Sequence, residues 1–205
     1  MAWIETVPPE EASGGLKRIY DSALKRAGYI AEIIRVGSLN EAALRGYMQM
    51  YQAVMFGDSP LSRAQREMIA TVVAASADCF YCKTHHAASF AAESGDKRTA
   101  ELLKEDYRTA DLRELDRAMC DYAARHAVTP AVASEEDLHA LRALGMTERM
   151  ILDMMLVIGA FSFFVRMADG LGAALEEARY PLEVQEARRL GKPVQPAGAP
   201  PSQHM

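Results

Sequence analysis

The sequence predicts an all-α protein, a compact multi-helix array with a degenerate internal helical repeat. Three observations carry that prediction. Good helix formers, including alanine, leucine, glutamate, arginine and 12 methionines, are abundant, while aromatic residues make up only 7%. Capping residues recur ahead of stretches whose apolar positions repeat at helical spacing. No alternating apolar–polar run of useful length argues for a sheet.

Along the chain, Pro8-Pro9-Glu10-Glu11 opens a helix that passes through Tyr20 to about Lys25, and a second covers Ile30 to Val36. Ser38 or Asn40 caps a longer helix, Glu41 to Phe56, and Gly57-Asp58-Ser59-Pro60 breaks the chain. Ser62-Arg63-Ala64-Gln65 follows the N-terminal capping pattern and starts a helix to about Ala75. Asp78 is expected to cap the next, from Cys79 to about Glu93, stopped by Ser94-Gly95. Further helices fit 97–105 and 113–127, the latter closed by Thr129-Pro130. Ser134 starts another that Gly145 ends, and Thr147 caps a long apolar helix, 148–168. Gly170 and Gly172 loosen the segment towards Tyr180-Pro181. Beyond Gly191 the composition turns to Pro, Gly, Ala, Ser and Gln, so 191–205 is expected to be a disordered tail behind one domain, 1–190.

Within that domain Leu61-Ser62-Arg63 resembles Met146-Thr147-Glu148 at an offset of 85 residues, and both stretches lead into apolar helices. At this offset Cys79, Cys82 and His86 fall on Phe164, Met167 and Leu171. The economical reading is an active half, about 40–95, and a degenerate half, about 113–180, that keeps the packing without the chemistry.

A formal charge of −5 and a pI near 5.6, with no Lys/Arg-rich block, exclude nucleic-acid binding as an expectation. The N-terminus lacks the basic start and apolar run of a signal peptide. The most apolar stretch, Met150 to Val165, spans 16 residues and contains Asp153, Gly159 and Ser162. A membrane span needs about 20 apolar residues, so this stretch reads as a buried core helix and no membrane is expected. The expected location is the cytoplasm. There, three cysteines, two of them spaced CxxC, point to catalysis or metal binding rather than a disulfide framework.

On a helix, Cys79, Cys82 and His86 lie within an arc of roughly 60° on one face. Placement in the first turn sets both thiols near unpaired backbone N–H groups and the positive end of the helix dipole. That environment is expected to lower a thiol pKa and raise its nucleophilic thiolate fraction. His86, four residues beyond Cys82, can take its proton directly or through water. Glu67, on the preceding helix and twelve residues before Cys79, is the candidate acid that orients and recharges His86. Set among Met68-Ile69-Ala70, it is expected to be partly buried with a raised pKa.

Plainer readings stand beside these. Structural zinc takes four ligands, and His85, His86, Cys120, His126 and His139 supply no matching second half to the single CxxC, so no metal is expected. A thioredoxin-like site needs a βαβ pattern that is absent. His86 as a solvated surface histidine is weighed down by its spacing to Cys82; His85, about 100° away, reads as a solvated neighbour. Cys120 reads as a small core residue, and Met154, Met155, Phe161, Phe163 and Phe164 read as core or subunit interface. Tyr81 fits either a pocket wall or helix packing. Arg166 and Asp169 are expected to pair with each other, with no catalytic role.

Glu67, Cys79-x-x-Cys82 and x-x-x-His86 together resemble the signature of the alkyl hydroperoxidase D group within the carboxymuconolactone decarboxylase-like superfamily. The chain as a whole resembles the longer, peroxidase-related branch, with the helical order and Arg166-Met167-Ala168-Asp169 extending the similarity over most of 15–180. The resemblance implies a thiol-dependent peroxidase. Cys82 would attack the hydroperoxide O–O bond and become a sulfenic acid, Cys79 would resolve it to a disulfide, and His86 and Glu67 would carry protons. It also implies no bound cofactor, an external dithiol or lipoyl-bearing reductant protein, and a homo-oligomer. One departure stands out, since Tyr81 occupies the place of a second histidine in the group's characterised enzymes. The alternatives are a decarboxylase of the same superfamily, whose pattern does not include paired cysteines, and a non-enzymatic redox-sensing helical scaffold.

Overall fold

The computed structural model describes residues 2–177, and these contain helices and no strand. The expected tail 191–205 and Tyr180-Pro181 lie outside the described residues. The helices are α1 Gly14–Ala27, α2 Glu32–Arg35, α3 Glu41–Phe56, α4 Arg63–Ser76, α5 Phe80–Ser94, α6 Lys97–Asp106, α7 Glu114–Val128, α8 Glu135–Ala143 and α9 Glu148–Leu171. Short 3₁₀ turns, Tyr107–Thr109 and Pro130–Val132, follow α6 and α7. The expected elements are all present, with α1 starting later than the Pro8-Pro9 signal suggested because that signal makes a turn instead.

The caps explain most boundaries. Asn40, Ser62, Asp96, Ser134 and Thr147 each accept a backbone N–H from the first turn of the helix they precede. Ser62 and Gln65 form a complete capping box, and Gln65 also donates to Asp116 at 2.9 Å, tying the start of α4 to α7. Gly172 ends α9 at φ 68°, and a Cβ there would meet the Trp3 ring at 2.5 Å. Trp3 N–H donates to the Leu171 carbonyl at 2.8 Å, so the N-terminal segment closes the end of α9.

α4 is the axis of the fold. Arg66 to Ala74 are all buried, a helix enclosed on every side, and it packs against α5, α6, α7 and α9. Ile69, Val72, Leu103, Met119, Met154 and Phe161 interlock in the main core. The buried Arg66 guanidinium donates to the carbonyls of Val54 (3.2 Å) and Gly57 (2.9 Å), satisfying groups that the end of α3 leaves unpaired. The long helix α9 has an apolar window of mean hydropathy 1.9, half of it buried within the protein, as expected for a core helix. α9 runs unbroken where the 85-residue offset would match the break between α4 and α5.

Because Ser62 holds the first turn of the central helix, Ser62→Ala should cost about 1 kcal/mol. The check is urea unfolding, in which the midpoint falls while the slope stays unchanged.

Candidate active site

Three residues, 77–79, turn the chain from α4 into α5. Asp78 sits in the left-handed region at φ 53°, which a short polar residue tolerates better than most. The expected cap is therefore displaced by one residue. Cys79, not Asp78, is the N-cap of α5, and its Sγ accepts the Cys82 backbone N–H at 3.4 Å. Asp78 instead turns outward to Lys83 Nζ at 2.7 Å. Both cysteines are unoxidised and buried, at 0% and 4% exposure, in a small apolar cluster with Tyr81, Val165, Ala168 and Leu175.

This burial reverses the expected thiol acidity. The Cys82 thiol is pushed well above its usual value of 9, first by its hydrogen bond to Cys79, then by burial, then by the negative charge of Cys79 and Asp169. The helix N-terminus does not outweigh these, because two adjacent thiols in an apolar setting resist holding negative charge. At neutral pH Cys82 is a protonated thiol that needs a base.

The Glu67–His86 pair is formed. Glu67 is 1% exposed, and its Oε2 lies 2.6 Å from His86 Nδ1 while its Oε1 takes Arg63 Nη2 at 2.5 Å. A nitrogen lone pair facing a carboxylate at that distance would be repelled, so Nδ1 carries a proton towards Glu67. The expected raised pKa of Glu67 is not found. Burial pushes it up, but the charge and hydrogen bonds of His86 and Arg63 outweigh burial and hold it below its usual value of 4.5. Arg63 also donates to the Met55 carbonyl and stacks 4.1 Å above the Phe56 ring, which fixes it from the α3 side.

His86 and Cys82 stand one turn apart on α5, and no hydrogen bond joins them among the described residues. His86 instead faces a cavity of ≈ 170 Å³ enclosed by the ends of α1 and α2, by α3, α5 and α9. Its walls include Tyr51, Tyr81, Phe161 and Phe164, with the His86 ring edge-on to Phe161 at 4.3 Å. Tyr81 and Ile33 line this cavity and also pack on the cysteine cluster, so they form the partition between cavity and thiols.

Two expected roles change. His85 is not solvated: its Nε2 lies 2.9 Å from Glu176 Oε2, and its ring packs on Tyr81. Glu176 also accepts from Tyr81 Oη at 3.0 Å and from Glu32 N–H at 2.9 Å. Sequence spacing places Tyr81 and His85 one turn apart, but no local pattern points to a carboxylate 91 residues further on. Arg166 does not pair with Asp169, since its guanidinium donates to the Ser162 carbonyl at 2.6 Å within α9. Cys120 is a core residue as expected, its thiol pushed up mainly by burial. Among the described residues, no group of three or more His, Cys, Asp or Glu is arranged to hold a metal ion.

Fold and site together define a helical protein with a buried CxxC pair on the same helix as a histidine that is bonded to a buried glutamate. Comparison with known proteins places it more closely. Residues 41–132 match the carboxymuconolactone decarboxylase family. An uncharacterized peroxidase-related protein from Silicibacter sp. TM1040 is similar at 30% identity over 86% of this chain and 90% of that one, with a TM-score of 0.76. The alkylhydroperoxidase AhpD core of an uncharacterized peroxidase-related protein from Ralstonia eutropha JMP134 shares the fold at 22% identity, 86% and 93% coverage and a TM-score of 0.81. The debrominase Bmp8 in complex with 2,3,4-tribromopyrrole also shares the fold, at 17% identity, 91% and 98% coverage and a TM-score of 0.73. No curated protein matches the sequence. The chain belongs to the alkylhydroperoxidase D-like, carboxymuconolactone decarboxylase-like superfamily.

Glu67 offers a test through pH. Its folded-state pKa lies below the ordinary 4.5, so ionised Glu67 contributes stability above that value, and the contribution is lost as pH falls through the lower folded value. Glu67→Gln should therefore be less stable than the parent at neutral pH, and the gap should narrow steadily below about pH 4.5. Urea midpoints of both proteins across the acid range read this directly.

Proposed function

We propose that this protein is a thiol-dependent peroxidase that reduces hydroperoxides through Cys82 and Cys79. The observation that carries the reading is the buried Glu67–His86 hydrogen bond, one turn from Cys82 and opening on the cavity. A thiol with a raised pKa is a poor nucleophile until a base accepts its proton, and His86 Nε2 is a base held in the right tautomer by Glu67. In the reaction the Cys82 proton passes to His86 through substrate or water, and Sγ forms a bond to one peroxide oxygen as the O–O bond breaks. Cys82 becomes a sulfenic acid, and the second oxygen receives that proton back from His86 and leaves as the alcohol. Cys79, whose Sγ already contacts the Cys82 backbone, then attacks the sulfenic sulfur, forming the disulfide and releasing water. An external dithiol, of the kind a lipoyl-bearing protein carries, returns both thiols to the reduced state in a reducing compartment such as the cytoplasm. The paired cysteines favour this over a decarboxylase, which has no use for a second thiol.

The same reading includes a homo-oligomer. Leu152, Leu156 and Phe163 stand 54%, 46% and 37% exposed on one face of α9, an apolar stripe suited to a second copy. Light scattering should give a mass at least twice that of one chain, and Leu156→Glu should reduce it; a monomeric parent counts against the oligomer.

For the chemistry, reduced protein is mixed with an organic hydroperoxide and its thiols counted. Parent protein should lose two thiols for each peroxide consumed, and Cys82→Ser should consume none. If parent protein keeps its thiols and the peroxide is untouched, the peroxidase reading fails.

A further inference from the structure

A carboxylate beside the buried thiol pair is left unused by the steps above. Val165 and Ala168 of α9 pack on Cys79 and Cys82, and Asp169 follows at the edge of that packing. Its carboxylate takes a hydrogen bond from the Cys79 thiol. Cys79 is 0% exposed, whereas Asp169 is open to solvent. An ionised carboxylate can only accept, so the Cys79 S–H points to Asp169. The Cys79 lone pairs are left for the Cys82 thiol and the Cys82 backbone N–H. The two thiols and the carboxylate thus form one chain from buried Cys82 to the surface.

Closing the disulfide requires Cys79 to lose its proton, and its surroundings offer few places for it. The cluster around it is apolar except for Cys82 and Tyr81, and the Tyr81 hydroxyl is held by Glu176. His86 lies about two helical turns further along α5. Asp78, the neighbouring acid, turns away to Lys83. We propose that Asp169 is the base for Cys79, taking its proton as Cys79 attacks the sulfenic acid on Cys82. The inference rests on the thiol-peroxidase reading. In the step the Cys79 S–H bond breaks and its proton passes to the Asp169 carboxylate. The freed electron pair forms the S–S bond while the Cys82 S–O bond breaks, its pair leaving on oxygen as hydroxide. Solvent protonates the hydroxide to water and takes the proton from Asp169, which restores the carboxylate. Partial burial pushes the Asp169 pKa above its usual 3.8, the Cys79 hydrogen bond draws it back, and the charge of Asp78 adds to the rise. A carboxylate made more basic is the better proton acceptor.

The test separates attack from closure. Reduced parent protein and Asp169→Asn are mixed with cumene hydroperoxide in a single turnover, with and without dimedone to trap the sulfenic acid, and followed by intact mass. Loss of the Cys82 thiol should agree within ~3-fold, while closure in Asp169→Asn slows by ~100-fold, as expected for removing a positioned base. The trapped adduct should then accumulate on Cys82. In parent protein the closure rate should fall only as pH drops through the Asp169 pKa. In Asp169→Asn it should climb steadily through the neutral range, because the thiol must ionise unaided. A merely structural role would not separate the two profiles. Closure as fast in the variant as in parent protein, or one pH profile shared by both, overturns the proposal. Should Asp169→Asn lose its helical circular dichroism, Asp169→Ser gives the same comparison. If parent protein keeps its thiols in peroxide, the peroxidase reading is what fails. Asp169 is then judged with an aromatic disulfide, dithiobis(nitrobenzoate), whose first thiolate release marks attack and whose second marks closure. Equal second releases in parent and variant overturn the assignment, and a slowed second release alone upholds it.

Discussion

The carboxylate of Glu67 is the constraint around which the molecule is built. A helix buried on every side, as α4 is, has no place for an unpaired charge, which in an apolar setting costs several kcal/mol. Glu67 is tolerated there because both of its oxygens are taken, one by Arg63 from its own first turn and one by His86 from α5. Those two partners set distances throughout the structure. Arg63 is anchored by the Met55 carbonyl and the Phe56 ring, so the end of α3 is fixed against the start of α4. His86 locks α5 against α4 in register. Sliding α5 by one residue would rotate His86 about 100° away and strand the carboxylate.

The same packing decides the chemistry of the thiols. Closing α9 and the segment carrying Leu175 over the turn between α4 and α5 removes water from Cys79 and Cys82. The helix N-terminus that would favour a thiolate at a solvated site is outweighed there by burial and by the neighbouring thiol. At rest the Cys82 thiol is held protonated and both cysteines are covered.

How much of this was legible in the sequence follows the range of each signal. Asn40, Ser62, Ser134 and Thr147 cap through residues three positions on, so the helices they begin could be placed from local pattern alone. The Glu67–His86 partnership could also be anticipated, because a three-residue turn forces neighbouring helices together. The cap of α5 was misplaced by one residue because the left-handed Asp78 backbone, which hands the cap to Cys79, has no signature in composition. Acidities went astray at Glu67 and Cys82 for one reason: each is set by how many partners remain after burial, and that is a tertiary quantity. Spacing alone makes His85 a solvated neighbour of His86, because Glu176 lies 91 residues away and reaches it through the turn that follows α9.

That distant contact changes the meaning of Tyr81. By sequence it stands where related enzymes carry a histidine, which reads as the loss of a proton-handling group. In three dimensions its hydroxyl and the adjoining His85 share one carboxylate, on the wall between cavity and thiols. Two ionised glutamates, from α4 and from the chain beyond α9, thus hold two neighbouring imidazoles with opposite nitrogens turned to their carboxylates, Nδ1 of His86 and Nε2 of His85. Rings held at opposite ends present different nitrogens to the cavity they share. Each ring commits one nitrogen to a carboxylate, so the two histidines are alike in how they are anchored and differ in which edge is left to line the cavity.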